Sequence, residues 1–228
     1  MFKILATAIF VVMIFAANSH AEETWKIASL NWAPYSDAEM ATQGNSIQKL
    51  RVLLKKENIN LLVEFYPWKR AKIVAKNKEY VGYFPAWPEE VYEGFTASPA
   101  VDWSEIGILK NTESSVRFES IDDLFKNYIV GIVQTYTYPK VIDDAVKKYP
   151  NHTEKAPNEV SLLKKLAIGR HQAAITDPTV MMYLAARKGI YNVETVKVIM
   201  RKKLVVAFRD DEDNKLRIHF FRKLLKGM

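Results

Sequence analysis

The feature that most constrains the fold of this chain is the regular alternation of short apolar segments with stretches of helical periodicity. Near the start, residues 25–30, 61–66 and 80–84 are apolar segments of strand length, and helical patterns at 46–57 and 68–76 separate them. Strands that alternate with helices pair in parallel, because each helix carries the chain back across the sheet. The sequence therefore predicts an α/β unit with a mostly parallel sheet.

The alternation restarts after a polar segment at residues 111–115, which follows a predicted strand at 105–110. The later elements are a helix after Ser120, strands at 128–133, 172–176 and 204–208, and helices at 139–149, 158–168, 178–188 and 214–226. Two successive α/β units with a late returning strand indicate two lobes joined by two crossings, with a ligand between them. We expect lobe 1 to comprise residues 22–110 plus 202–228, and lobe 2 to comprise residues 111–201.

Residues 1–21 have the composition of a cleaved secretory signal. Lys3 gives a positive start, residues 4–17 are uncharged and apolar, and small residues surround the cleavage position near Ala21. The alternative is an uncleaved membrane helix, but a run of that length, rising about 1.5 Å per residue, reaches only about 21 Å. A bilayer core is roughly 30 Å thick. We therefore expect residues 1–21 to be removed and the mature protein to be exported.

Composition excludes several classes of protein. The chain has no Cys, which excludes a thiolate nucleophile, a Cys-ligated metal centre and the lipidated Cys of bacterial lipoproteins. The net charge of +7 includes basic clusters such as residues 201–203, which are typical either of a nucleic-acid surface or of solvated helix and strand edges. We favour the second interpretation, since the excess charge is scattered and export removes most nucleic-acid partners.

The sequence contains no assembled catalytic or metal-binding motif. His152, His171 and His219 lie in separate segments without metal-ligand spacing, and no phosphate loop or nucleophile elbow is present. We expect no metal, no cofactor and no catalytic residue.

Short motifs follow one another in a fixed order along the mature chain. They include Asn31-Trp32-Ala33-Pro34-Tyr35, Pro67-Trp68-Lys69-Arg70-Ala71, Phe95-Thr96-Ala97-Ser98-Pro99, Val130-Gly131-Ile132-Val133-Gln134 and Ala173-Ala174-Ile175-Thr176-Asp177. In this order and spacing the chain resembles bacterial extracytoplasmic solute-binding proteins of family 3, the polar amino acid class. The resemblance implies a two-lobe periplasmic binding protein fold of type II, the Venus flytrap, in which each lobe is a mostly parallel sheet flanked by helices.

The resemblance also implies a function. Such a protein is a monomer in the periplasm that captures a small polar ligand, an amino acid or a related amine-bearing compound, in the cleft between its lobes. The ligand holds the lobes closed, and the closed form is recognised by an inner-membrane ABC permease. Two alternatives stay open: a dehydratase-like enzyme on the same fold, and a sensory protein that presents its ligand to a receptor.

Most candidate ligand contacts in the first lobe are aromatic. The full set of candidates in this lobe is Trp32, Tyr35, Trp68, Arg70, Phe84, Ala86 and Trp87. An aromatic face attracts an ammonium group by about 0.5–2 kcal/mol, which favours ligand contact at Trp32, with loop packing as the alternative. Arg70 offers a planar fork to a carboxylate or phosphate, unless it lies on an exposed helix face. The resemblance places further ligand contacts at the turn after the third strand, where bulky side chains favour a small or flat ligand.

Candidates in the second lobe are Tyr136, Thr137 and Asp177. Free backbone N–H groups at residues 135–137 suit an anion or form an ordinary helix cap, and the resemblance places a ligand-binding Thr at Thr137. Asp177 matches the carboxylate that binds the ligand's ammonium group in the family. Its alternative role is to cap the helix that begins at Pro178, and both roles can hold at once.

One departure from the family pattern concerns the ligand's carboxylate. Amino acid binders carry an Arg several residues before the pair that corresponds to Phe95-Thr96, but residues 89–93 contain Glu and no Arg. Either Arg70 substitutes for it, or the ligand has no α-carboxylate in that place. Because Asp177 is kept, we expect a ligand with an amino or other cationic group.

Overall fold

The computed structural model of the protein describes residues 23–226, so the predicted signal segment 1–21 lies outside the described residues. The strands are β1 (Glu23–Ser29), β2 (Ile59–Phe65), β3 (Gly82–Ala86), β4 (Phe95–Ala97), β5 (Asp102–Asn111), β6 (Val130–Val133), β7 (Thr153–Ala156), β8 (Ala173–Thr176) and β9 (Val193–Arg209). The helices are α1 (Asn45–Lys55), α2 (Trp68–Val74), α3 (Ile121–Asn127), α4 (Lys140–Lys148), α5 (Glu159–Ala167), α6 (Pro178–Lys188) and α7 (Glu212–Lys226).

The sheet consists of two parallel parts joined by an antiparallel pair. Its strand order is β2-β1-β3-β9-β5-β8-β6-β7, and β4 also pairs with β9. β1 runs parallel to β2 and β3, and β6 runs parallel to β7 and β8, which confirms the predicted parallel pairing. β5 and β9 are antiparallel to each other and to their other neighbours.

β5 and β9 link two halves of the molecule. We call β1–β4 with α1, α2 and α7 the first half, and β6–β8 with α3–α6 the second half. The C-terminal part of β9 pairs with β3 and β4, whereas the C-terminal part of β5 pairs with β8. The predicted lobe boundaries near residues 110 and 202 fall in these two strands and stay a prediction.

Three strands differ from the sequence-based expectation. β4 and β7 have no predicted counterpart, because they are only three and four residues long and β7 is mostly polar. β9 has 17 residues, many more than the predicted 204–208. Its N-terminal part interleaves charged and apolar residues, so the apolar signal is strong only where the strand becomes fully buried.

Each half has its own packing. In the first half, the Trp25 ring on β1 lies 5.5 Å from Phe208 and 5.9 Å from Phe221, so α7 is held against the sheet by aromatic contacts. In the second half, buried leucines of α5 pack with Met181 of α6. Between residues 23 and 226, no helix combines the length and the apolar composition needed to cross a bilayer.

Candidate ligand-binding site

The loop after β1 holds two aromatic rings toward the second half. The backbone N–H of Ser46 donates to the Tyr35 carbonyl at 3.0 Å, which ties the loop to the start of α1. Gly44 precedes that helix with a φ of 106°, and a Cβ there would collide with the backbone of Tyr35, so the close approach requires glycine. The loop places the rings of Trp32 and Tyr35 with their centroids 4.7 Å apart.

Trp32 forms a hydrogen bond across the cleft to Glu159. Its indole Nε1 donates to Glu159 Oε1 at 2.8 Å, and the Tyr136 hydroxyl donates to the same oxygen. Glu159 is the first residue of α5 and is only 6% exposed. Burial raises the pKa of this carboxyl group from its ordinary value to about 7. The cleft therefore contains a carboxyl group that changes protonation near neutral pH.

A second buried carboxyl group, that of Glu90, comes from the first half. Its Oε1 accepts hydrogen bonds from Trp68 Nε1 at 2.7 Å and from the backbone N–H of Thr137 at 3.3 Å. The Lys72 ammonium lies 3.6 Å from the same oxygen. Burial raises the pKa of Glu90, although Lys72 and the hydrogen bonds oppose that rise. The backbone N–H that was predicted as part of an anion seat thus faces a carboxyl group of the protein itself.

The Lys72 side chain lies between two aromatic rings. Its Nζ is 4.9 Å from the ring centroid of Trp68 and 4.7 Å from that of Tyr92, within the range of a cation–π interaction. The same group donates to the Tyr92 hydroxyl at 3.0 Å, and that hydroxyl is 2.9 Å from Thr137 Oγ1. This part of the cleft therefore already accommodates an ammonium group by combining aromatic faces with a carboxyl group.

Asp177 follows β8 and caps α6. Its Oδ1 accepts from the Val180 N–H at 3.0 Å, and its Oδ2 accepts from the Glu105 N–H at 2.9 Å and from the Tyr35 hydroxyl at 3.1 Å. The residue is fully buried, and burial raises its pKa. In this conformation Asp177 has the capping role, and it also joins the two halves through Tyr35.

Little free space remains at the centre of the closed cleft. The cavity there is about 10 Å³, close to the smallest space that holds one water. It is lined by Leu30, Trp32, Trp68, Pro85, Trp87, Glu90, Tyr136 and Leu204. The Trp87 ring centroid is 6.2 Å from that of Trp32 and 5.7 Å from that of Tyr136. The protein's own aromatic side chains thus fill the space between the halves.

A larger groove opens from the same aromatic side chains. It has a volume of about 630 Å³, which is the size of a small-molecule site, and both halves line it. Trp32, Trp68, Tyr136 and Glu159 form part of its wall. Its other charged lining residues are Asp37, Glu39, Lys69, Arg187 and Lys188. We call this surface the aromatic groove.

Of the ten predicted contacts, Trp32, Trp68 and Tyr136 line the aromatic groove, and Arg70, Phe84 and Ala86 lie away from the cleft altogether. Arg70 is exposed on α2, with its guanidinium carbon 5.3 Å from the Tyr66 ring centroid. Phe84 and Ala86 are enclosed in the hydrophobic core, because β3 runs between β1 and β9. Trp87 lines the small central cavity. The structure therefore brings Trp32, Tyr35, Trp68, Trp87, Tyr136, Thr137 and Asp177 together around the cleft, but not Arg70, Phe84 or Ala86.

Sequence reasoning did not select Glu90, Glu159 or Lys72 as site residues. Glu90 belongs to the acidic stretch that takes the place of the family's Arg, and that replacement is the one signal that pointed to it. Glu159 looks like an ordinary acidic residue in the first turn of a helix, where the helix dipole favours it. Lys72 is one of two lysines on the short helix α2. Only the tertiary structure distinguishes it by burial.

Comparisons with known proteins bear on the fold. No family model matches the sequence, and no curated protein matches it. A histidine kinase sensor domain with similarity to periplasmic binding proteins is 15% identical, with a TM-score of 0.75 over 90% of each chain.

Two ancestral binding proteins are similar in structure as well. An ancestral arginine-binding protein bound to arginine is 16% identical, with a TM-score of 0.74 over 92% of this chain and 93% of that one. An ancestral amino acid-binding protein, a precursor of cyclohexadienyl dehydratase, is 18% identical, with a TM-score of 0.68 over 90% and 89%. These similarities confirm the predicted fold: the chain has the two-lobe α/β fold of type II periplasmic binding proteins.

Proposed function

We propose that this protein is a periplasmic solute-binding protein of family 3 that captures a small amine-bearing ligand in the aromatic groove for uptake by an ABC permease. The observation that carries the proposal is the pairing of buried carboxyl groups with aromatic rings in the cleft. Glu159 lies against Trp32 and Tyr136, and Glu90 lies against Trp68. Carboxylates attract an ammonium ion through charge-assisted hydrogen bonds, and aromatic faces attract it through the cation–π interaction.

An ammonium group in the groove would give Glu159 a stronger hydrogen-bond donor than the ones it has in the structure. In the structure this carboxyl group accepts from neutral donors, the Trp32 indole and the Tyr136 hydroxyl. A charge-assisted hydrogen bond from an ammonium group is roughly twice as strong as a neutral one. The cation would also lower the raised pKa of Glu159, so that binding and ionisation of the carboxyl group favour each other.

The charges at the rim bear on the rest of the ligand. No Arg occupies residues 89–93, and Arg70 is exposed over the Tyr66 ring and does not line the aromatic groove. Lys69 and Arg187 line the aromatic groove farther out. If the ligand has a carboxylate, we propose that these rim cations bind it.

A thermal-shift screen of the purified protein at pH 7 tests this proposal. The panel contains polyamines, cationic amino acids, other amino acids, small carboxylates and sugars. A ligand at 100 times its Kd stabilises a protein by about 2.7 kcal/mol, which is several degrees for a chain of this size. We expect hits among amines. Hits confined to sugars or to carboxylates without an amine would contradict the proposal.

The matched variants for this screen are Glu159→Gln and Glu57→Gln. Glu159→Gln keeps the size and a hydrogen-bond acceptor but cannot form an ion pair, so we expect amine affinity to fall about tenfold or more, or about 1.4 kcal/mol. Glu57 is exposed at the end of α1, and its substitution should leave affinity unchanged. Equal affinity in both variants would remove Glu159 from the site.

A second candidate function is catalysis, and the pKa of Glu159 favours it. A carboxylic acid with a pKa of about 7 in an aromatic cleft is suited to general acid catalysis at neutral pH. The similarity to a precursor of cyclohexadienyl dehydratase supports the same idea. Mass spectrometry of each hit after incubation with the protein decides between the two. Conversion that is lost in Glu159→Gln would indicate an enzyme, and unchanged ligand would indicate a binder.

A sensory role is the third candidate, supported by the similarity to a histidine kinase sensor domain. In this role the protein binds the same ligand but presents it to a receptor instead of a permease. Uptake of labelled ligand by cells with and without the gene separates the two. Uptake that depends on the gene supports transport, whereas a transcriptional response without uptake supports sensing.

A further inference from the structure

A second groove joins the two halves, and its charged side chains are all basic. It has a volume of about 620 Å³ and is lined by Lys69, Lys72, Ile73, Lys76, Tyr92, Phe95, Gln134, Thr135 and Lys155. It shares only Lys69 and Thr135 with the aromatic groove. Among the residues that the structure describes, no Asp or Glu side chain lines it. We call this surface the lysine groove.

Helical spacing explains why the lysines converge. Lys69, Lys72 and Lys76 are spaced three and four residues apart, so they lie on one face of α2 and of the turn that follows it. Lys155 lies on β7, and Gln134 and Thr135 follow β6, so the opposite wall belongs to the second half. An occupant of the groove would contact both halves.

The charges of this groove are largely uncompensated. Lys72 is buried and has Glu90 at 3.6 Å. The other three lysines form no salt bridge with any residue in the described range 23–226. Cations of one sign around a concave surface add their potentials and attract an anion. They also repel one another across the two halves until an anion lies between them.

We propose that the lysine groove binds a small anion with two or more carboxylate or phosphate groups, held between Lys76 of the first half and Lys155 of the second. Lysine ammonium groups bind such oxygens as point charges and do not require a fixed orientation. Ile73 and Phe95 supply apolar surface for a carbon skeleton. By replacing repulsion across the cleft with attraction, the anion favours the closed arrangement. The proposed anion has the opposite charge to the amine, and the linings of the two grooves share Lys69 and Thr135 while the proposed anion contacts Lys76 and Lys155 belong to the lysine groove.

Isothermal titration calorimetry of the full chain tests the proposal, with citrate as the carboxylate probe and tripolyphosphate as the phosphate probe. The variants are Lys76→Gln, Lys155→Gln and the double variant. The matched control is the double variant Lys55→Gln with Lys56→Gln, which removes the same charge from exposed positions at the end of α1. We expect each single variant to weaken binding about threefold and the double variant about tenfold, which corresponds to about 1.4 kcal/mol. The control should bind as the unmodified protein does.

Three results would overturn this site. The first is that neither probe binds to the unmodified protein. The second is equal weakening in the control, which would mean attraction to net charge alone. The third is an effect of Lys76→Gln without one of Lys155→Gln, because the site would then not bridge the halves. The probe that binds more tightly identifies the charged group of the ligand. Amine binding and its loss in Glu159→Gln report separately on the proposed function.

Discussion

The two halves of the molecule bring complementary polar groups to the interface between them. The first half contributes donors, the Trp32 indole and the Tyr35 hydroxyl, and the second half contributes the carboxyl acceptors of Glu159 and Asp177. At Glu90 the roles are exchanged: the first half supplies the acceptor, and a backbone N–H of the second half donates to it. A buried polar group without its partner costs about 1–3 kcal/mol. The pairing of donors on one half with acceptors on the other therefore specifies how the halves fit together. The apolar surface that they bury against each other does not by itself fix that fit.

The two sets of groups are positioned by different local structures. The donors stand on a loop that Gly44 allows to pack closely against α1. The acceptors stand at the starts of α5 and α6, where free N–H groups favour a carboxyl side chain. Loop residues on one side of the cleft thus meet helix starts on the other.

The largest expected effect comes from removing the acceptor that serves both a helix cap and the interface. Asp177→Ala leaves the buried Tyr35 hydroxyl and the Glu105 N–H without their partner and deletes the cap of α6. We expect the free energy of unfolding to fall by about 3 kcal/mol or more, measured by urea denaturation. Asp177→Asn keeps an acceptor for the cap and should lose less. A loss below about 1 kcal/mol for Asp177→Ala would show that this residue does not join the halves.

The next effect is a pH dependence caused by Glu159. Its pKa is raised from 4.5 to about 7, so between these values the folded protein keeps a proton that the unfolded chain has released. The stability linked to this group is therefore fully present below pH 4.5 and is lost as the pH rises through 7. The difference between the two pKa values corresponds to about 3 kcal/mol in the free energy of unfolding. Urea denaturation at several pH values should show this slope in the difference between the protein and Glu159→Gln, and a flat difference would contradict it.

A smaller effect is expected from the donor that pairs with Glu159. Trp32→Phe keeps an aromatic ring but removes the indole N–H, while the Tyr136 hydroxyl still donates to the carboxyl group. We expect a loss of about 1–3 kcal/mol in the free energy of unfolding. A double-mutant cycle with Glu159→Gln should give a coupling energy of about 0.5 kcal/mol or more. Additive losses would mean that this bond does not hold the halves together.

The smallest effect is expected at the more exposed contact between the halves. Tyr92→Phe removes the hydroxyl that is 2.9 Å from Thr137 Oγ1 and 3.0 Å from Lys72 Nζ. Water can replace these bonds, so we expect a loss of about 0.5–1.5 kcal/mol by thermal denaturation. A loss as large as that of Trp32→Phe would mean that the exposed contact is as important as the buried one.

The sequence by itself determined the α/β alternation, the parallel pairing within each half and the cap at Asp177-Pro178. These features depend on periodicity, on turn residues and on bonds between near neighbours, so a local pattern contains them. The family motifs added the type II fold and named Trp32 and Trp68, which the structure places at the cleft.

Only the tertiary structure decided which carboxyl groups matter and which cation is buried. Trp32 and Glu159 are 127 residues apart in the chain, and their contact exists only because β5 and β9 bring the halves together. The same geometry turns Arg70 toward Tyr66 and buries Lys72 between two rings. Burial and partner choice depend on distant segments, and these two properties determine a side chain's charge state and therefore its chemistry.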